Sequence, residues 1–214
     1  MTTLKVVVID YGIGNVYSVL RALDRLGVQA DLTSDRSRIM AADRVILPGV
    51  GAFGRAADTL RKMNLQGVIH DYIATGKPFL GICVGMQLLM ETGEEFGTHQ
   101  GLGIIPGTVR KITARDEVGQ PCRIPLIGWL PVEESMPGIW AETPFQRNLR
   151  TNAFYFVHSF QAEVVDPSHC IAFHQLGDSR ITAAVRRDNV LGVQFHPERS
   201  GAVGQDFLAA FLSM

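Results

Sequence analysis

One unit recurs through the first half of this chain: a short apolar run, a glycine-bearing turn, then apolar residues at helical spacing. Leu4 to Ile9 is dominated by valine and reads as a buried strand. Tyr11-Gly12-Ile13-Gly14-Asn15 follows as a turn. Val16, Val19, Leu20, Leu23 and Leu26 then fall on one helix face, and Gly27 is placed to close that helix in the left-handed conformation. Val28 to Thr33 predicts a second strand, and Arg44 to Leu47 a third that ends at Pro48-Gly49. Val68, Ile69, Tyr72 and Ile73 mark a helix face before Gly76. Pro78 to Ile82 is a further buried strand, with a helix expected over Gly85 to Glu91. Such alternation implies a largely parallel sheet with helices on both faces.

The second half carries a different pattern. Phe154 to Val157, Ile181 to Val185 and Val190 to Phe195 are short strand-like runs, the last two separated by Arg187-Asp188-Asn189. They predict antiparallel strands added to a parallel core. A final helix over Val203 to Leu212 places Val203, Phe207, Leu208 and Phe211 together. Thr113 to Arg150 shows no readable pattern. The fold class is α/β, and with no repeat, low-complexity tract or linker, residues 1–214 are expected to form one domain.

Composition narrows the function classes. Hydrophobic residues at 46% are enough for a substantial core. Lys plus Arg is 20 and Asp plus Glu 21, a formal net charge of -1 without a basic run, which argues against nucleic acid as a partner. No apolar run reaches membrane-spanning length, and MTTLKVVVIDYG lacks the features of a secretory leader. Cys83, Cys122 and Cys170 are odd in number and widely spaced, so a disulfide scaffold is not expected and a reducing, cytoplasmic setting is. Without a CxxC or HxxxH cluster no metal site is expected. Gly12 and Gly14 fall short of a dinucleotide fingerprint, and no cofactor is expected.

Three loops carry candidate chemistry, each directly after a predicted strand. Gly81-Ile82-Cys83-Val84-Gly85-Met86-Gln87 has the form of a nucleophile elbow with cysteine in the nucleophile position. Side chains at 81 or 85 would crowd the sharp turn that lifts Cys83 above the sheet edge, and a helix N-terminus there favours thiolate. The same stretch also fits a small buried cysteine in a tight turn. Gln194-Phe195-His196-Pro197-Glu198 supplies a base and, two residues on, an acid to orient it, with Pro197 stiffening the pair. Pro48-Gly49-Val50-Gly51-Ala52-Phe53-Gly54 can present backbone N–H groups to a developing oxyanion, the Val84 N–H being a second donor. Taken singly, the second also fits a plain loop, and the third a phosphate loop or a mere βα turn. Complementary roles in all three favour a cysteine hydrolase.

Together GICVGMQ, QFHPE and PGVGAFG resemble the triad-type, class I glutamine amidotransferases. DYGIGN, PGVGAF, YFVHSF and QFHPERSG are more closely similar to the glutaminase subunits of imidazole glycerol phosphate synthases of histidine biosynthesis. The likeness runs from about Val7 to Gly201. It implies a flavodoxin-like fold, Cys83 as nucleophile, His196 as base and Glu198 as its orienter. It implies an L-glutamine pocket containing Gly49, Val50, Gly51, Val84, Gln87, Ser159 and Phe160. It further implies a heterodimer with a (β/α)₈ cyclase subunit, met through Asn15, Trp129 and Arg199.

The chain departs from the family pattern at Pro125-Leu126-Ile127-Gly128-Trp129-Leu130, where Leu126 and Leu130 replace a usual histidine and asparagine. The resemblance puts both on the synthase-facing surface. That leaves a second reading open, a paralogous amidotransferase feeding ammonia to another synthase, for example one of lipopolysaccharide sugar biosynthesis. A redox-sensing regulatory module and a stand-alone cysteine peptidase are further alternatives; intact His196 and Glu198 argue against the first.

Overall fold

The sequence patterns are resolved in a computed structural model that describes residues 4–146 and 152–214. In chain order the elements are β1 (Val6–Ile9), α1 (Val16–Asp24), β2 (Asp31–Thr33), α2 (Arg36–Ala41), β3 (Arg44–Gly49), α3 (Phe53–Lys62), α4 (Leu65–Ala74), β4 (Phe79–Cys83), α5 (Val84–Gln87), β5 (Met90–Gly93), β6 (His99–Gln100), β7 (Ile105–Lys111), β8 (Leu126–Pro131), β9 (Glu133–Glu134), β10 (Ala153–His158), β11 (Phe160–Val164), β12 (Cys170–Leu176), β13 (Ser179–Arg187), β14 (Val190–Val193) and α6 (Gly201–Leu212).

The main sheet runs β2-β1-β3-β4-β14-β13-β12-β9. Its first five strands are parallel, and β13, β12 and β9 join antiparallel. Burial explains the arrangement: β1, β4 and β14 are buried at every residue, as strands covered on both faces must be. Stepping outward from β1 to β2 and back to β3 and β4 with right-handed crossovers puts α1 on one face and α2, α3 and α4 on the other. The contacts agree. α2 and α3 each meet α4, whereas α1 and α6 meet through a 3₁₀ turn at Pro197–Arg199. A four-stranded sheet, β11-β7-β5-β6, and the pair β10-β8 sit beside this core.

Where the expected elements hold, the cause is local. Gly27 takes φ +75°, and the amides of Gly27 and Val28 return to the carbonyls of Asp24 and Leu23, closing α1 as its spacing predicts. Val28 serves that closure, and the second strand shrinks to Asp31–Thr33. The helix expected over Gly85 to Glu91 ends at Gln87. Leu88, Leu89 and Met90 are all buried, and Met90 instead pairs with Ile105 in a strand. A short, wholly buried apolar run does not distinguish helix from strand by its period. α2 and α3 lie outside the sequence expectations. The buried stripe of α3 is Phe53, Ala56, Ala57 and Leu60, in which two alanines give little apolar signal. Within 113–150, β8 and β9 lie among turns; residues 147–150 of that segment are outside the described residues. Among the described residues no helix is long and apolar enough to cross a membrane.

Candidate active site

Register brings the three candidate loops together. Gly49 lies opposite Cys83 across β3 and β4, and Val193 opposite Ile82 across β14 and β4. All three loops therefore leave the same, C-terminal edge of the parallel strands, where ligand sites of such sheets form. Cys83 itself has φ +56°, ψ −112°, a conformation costly for a residue with a side chain. Glycine packing holds it there. A Cβ on Gly85 would come 1.9 Å from the Leu47 carbonyl oxygen, one on Gly81 2.7 Å from the Gly85 oxygen, and one on Gly49 2.6 Å from the Gly85 nitrogen. The two glycine motifs are thus one interlocked turn.

His196 and Glu198 follow β14, their side chains 4% and 1% exposed, with Nδ1 of His196 2.8 Å from Oε1 of Glu198. The Pro197–Arg199 turn points both side chains the same way. Ser200 braces it, donating to the His196 carbonyl at 2.7 Å and accepting from the Tyr155 amide at 2.9 Å. Burial alone would lower the His196 pKa. Its interactions with Cys83, and then with Glu198, outweigh that and raise it to about 10. Nε2 of His196 has no hydrogen-bond partner among the described residues and is the ring nitrogen not engaged by Glu198.

Cys83 and His196 line one cavity of about 500 Å³. Val50, Gly51, Val84, Gln87, Ser159 and Phe160 line it as well. Gly49 does not; it is wedged behind the cavity against Gly85, because its Cα must touch the elbow backbone. Ala52, Pro125, Val157, His158, Glu95 and Phe96 complete the wall. Of these, Glu95 is the one acidic side chain, and no pattern in the sequence singles it out. One of its oxygens, Oε2, accepts from the Phe53 amide at 2.8 Å, at the N-terminus of α3.

The residues expected to meet a synthase do not line the cavity. The Arg199 guanidinium covers the Tyr155 ring at 4.7 Å, and Tyr155 meets Trp129 edge-on at 6.2 Å, with Trp129 55% exposed. Asn15 is half-buried before α1, which touches the Pro197–Arg199 turn. The two departures from the family pattern correct the sequence expectation, because they do not face outward with Trp129. Leu126 is buried with Ile112, Ala114 and Ile181, and Leu130 packs against the main core. Strand alternation is the reason: Ile127 and Trp129 project outward, while 126 and 130 point inward.

With this geometry in place, comparison with known proteins identifies the group to which the chain belongs. The family model described as glutamine amidotransferase class-I matches residues 7–213. The chain belongs to the class-I glutamine amidotransferase family. It is 43% identical over 209 residues to imidazole glycerol phosphate synthase subunit HisH of Acaryochloris marina, covering 97% of this chain and 93% of that protein. To the protein of the same name from Bacillus subtilis it is 41% identical over 207 residues, covering 97% and 95%. Among solved structures it resembles PurLQS from Thermotoga maritima with a TM-score of 0.70 at 19% identity, covering 99% of each chain. It also resembles a glutamine amidotransferase from Thermotoga maritima with a TM-score of 0.59 at 14% identity, covering 99% of this chain and 83% of that one. At those identities the structural likeness establishes the amidotransferase fold alone.

Proposed function

We propose that this amidotransferase is the glutaminase subunit of an imidazole glycerol phosphate synthase in histidine biosynthesis, its residues 1–214 forming one catalytic domain. It hydrolyses L-glutamine to glutamate and ammonia and passes the ammonia to a (β/α)₈ cyclase partner in the cytoplasm. The observation that carries the reading is Cys83 on a strained elbow beside His196, whose other ring nitrogen is held by buried Glu198, in a chain about 40% identical to HisH subunits along nearly its whole length.

The chemistry follows from the geometry. His196 takes the Cys83 proton, and the sulfur attacks the side-chain amide carbon of glutamine. The C–N bond breaks as His196 returns the proton to the departing ammonia, leaving a γ-glutamyl thioester. Water, deprotonated by His196, then cleaves the C–S bond to give glutamate and the free cysteine. Glu198 keeps the ring in one orientation and stabilises its charged form. Glu95 is placed to receive the substrate's α-ammonium group, since it is the one anionic side chain among the cavity's lining residues.

The oxyanion falls to Val50, Gly51 and Val84. The amides of Val50 and Gly51 have no hydrogen-bond partner among the described residues, and Gly51 has φ +83°. Upstream the strand is fixed: Tyr11 donates its hydroxyl to the Pro48 carbonyl at 2.9 Å and Gly49 is wedged. A peptide flip that turns a donor into or out of the site is thus confined to residues 50–51. One oxyanion donor is worth about 10²–10³ in rate, so this flip is a sufficient gate for a partner to operate. The cluster of exposed Trp129 and Arg199 with half-buried Tyr155, of residue types that dominate interface energetics, is the docking surface. With Leu126 and Leu130 turned inward, no observation favours a different synthase.

Two measurements test this reading. A diazo-ketone analogue of glutamine is expected to label Cys83 only; label on Cys122 or Cys170 instead overturns the assignment. Glutamate release by the chain alone is expected to be slow and to rise about 10²-fold or more when the cyclase and its substrate are present. A lone chain that turns over at full rate, unmoved by the partner, contradicts the subunit reading.

A further inference from the structure

Gln194 is wholly buried between β14 and the nucleophile, and no step above uses it. Its side-chain orientation can be worked out from an unambiguous acceptor. The Phe160 carbonyl oxygen can only accept, so the Gln87 side-chain atom 3.3 Å away is the amide nitrogen. That same nitrogen lies 3.0 Å from one terminal atom of Gln194, which must then be the oxygen. The remaining atom, Nε2 of Gln194, is therefore an N–H donor, and it stands 3.6 Å from Sγ of Cys83. The chain of bonds runs from the pocket wall, through α5, to the reacting sulfur.

The geometry points to Gln194 as a further catalytic residue, one that donates a hydrogen bond to the Cys83 sulfur and stabilises it as a thiolate. This rests on the proposal that Cys83 is the nucleophile. A thiolate accepts such a bond far better than a thiol, so the donor favours the attacking form. It acts twice, because the thiolate is also the leaving group when water cleaves the thioester. The position is enforced. Gln194 Oε1 is held by Gln87, and the backbone amide of Gln194 is fixed to the Ala183 carbonyl at 2.8 Å. Gln87 is thereby assigned a second role: both of its amide hydrogens are used within the protein, which leaves only its oxygen for a ligand.

The test is the pH dependence of Cys83 alkylation by iodoacetamide in the full-length chain, with the modified site mapped by mass spectrometry. Gln194→Met keeps the volume and a weak acceptor toward Gln87 but removes the donor. We expect its alkylation at neutral pH to fall about tenfold, its pH profile to move about one unit toward alkali, and kcat for glutamine to fall more than KM rises. Gln194→Leu also removes the donor at similar volume, with one Gln87 N–H left unpaired, and is expected to fall by a similar factor. It carries the same test should Gln194→Met fail to fold. Wild-type alkylation profiles in both folded variants would overturn the assignment, as would a KM increase with unchanged alkylation, which would make Gln194 a support for Gln87 alone. The underlying reading fails separately, if wild-type Cys83 resists alkylation while Cys122 or Cys170 reacts.

Discussion

Three buried histidines stand near one another beside the cavity, and they end in opposite charge states. His196 faces Cys83 and has a buried carboxylate on Nδ1, and these two, in that order, raise it to about 10 against the opposing effect of burial. His158 lines the same cavity but meets only the Phe160 carbonyl, at 2.9 Å, through Nδ1. His174, its ring centroid 6.0 Å from that of His158, has no partner at either ring nitrogen among the described residues. Both of these are lowered to about 4, burial being the main cause; for His158 the neighbouring His174 and His196 add to it and outweigh the carbonyl's opposing effect. Burial is common to all three, so a facing anion, and not depth, decides which histidine carries charge. At neutral pH the site therefore holds one cationic ring for proton transfer, and a neutral His158 that donates to the pocket wall.

The largest effect should come from removing the charged ring. His196→Ala is expected to lower glutamine turnover at saturating substrate by about 10⁴-fold. Glu198→Ala keeps a base but frees its orientation and charge state, and should cost about 10²–10³-fold. An equal or larger loss from Glu198→Ala would mean that the carboxylate does more than hold and charge the ring, and would break the comparison at its strongest member.

Stability against pH sharpens it from the other side. Unfolded, His158 and His174 take up protons near pH 6.5; folded, they resist until about 4. Between these values the unfolded chain binds more protons, so stability falls as pH drops from about 6.5 toward 4, by up to about 3 kcal/mol for each ring. His196 acts with the opposite sign. Its contribution is complete below about 6.5 and is lost as pH rises from there through about 10. Urea unfolding from pH 4 to 10 should show both limbs, and Glu198→Gln should shrink the alkaline one only, the share due to Cys83 remaining. An alkaline limb unchanged by Glu198→Gln would refute the carboxylate's part in it.

The parallel half of this molecule and the grouping of Cys83, His196 and Glu198 are legible in the sequence for a shared reason: both are local. Glycines at 81 and 85, and a histidine two residues before a glutamate, state their geometry within a few positions. The roles of Gly49, Glu95 and Gln194 are non-local. Gly49 is fixed by Gly85, Glu95 by the amide of Phe53 forty-two residues earlier, and Gln194 by side chains more than a hundred residues away. The inward turn of Leu126 and Leu130 depends on the pairing of β8 with β10, which no residue of β8 announces. The helix expected to run on to Glu91 stops at Gln87 for the same reason, since the partner of Met90 is Ile105 across a turn.

The smallest expected effect isolates the unpartnered ring. His174 sits on β12 with its ring T-shaped against Phe156 at 5.0 Å, 1% exposed and with both nitrogens unpaired among the described residues. His174→Gln removes a titrating group while keeping a polar side chain of similar length. At pH 7, where His174 is neutral, the exchange loses its ring contacts with Phe156 and His158, the first worth about 0.5–1.5 kcal/mol, and should destabilise the fold by about that amount or a little more. At pH 4.5 the wild-type chain has lost most of its His174 contribution through linkage and the variant has none to lose, so the sign should reverse and the variant should be the more stable. Glutamine turnover at neutral pH should stay within about twofold, since the ring lines no part of the cavity. The deciding quantity is the difference between the two pH values, in which the aromatic loss cancels. A difference of zero would show that His174 titrates alike folded and unfolded, leaving His158 alone to oppose His196.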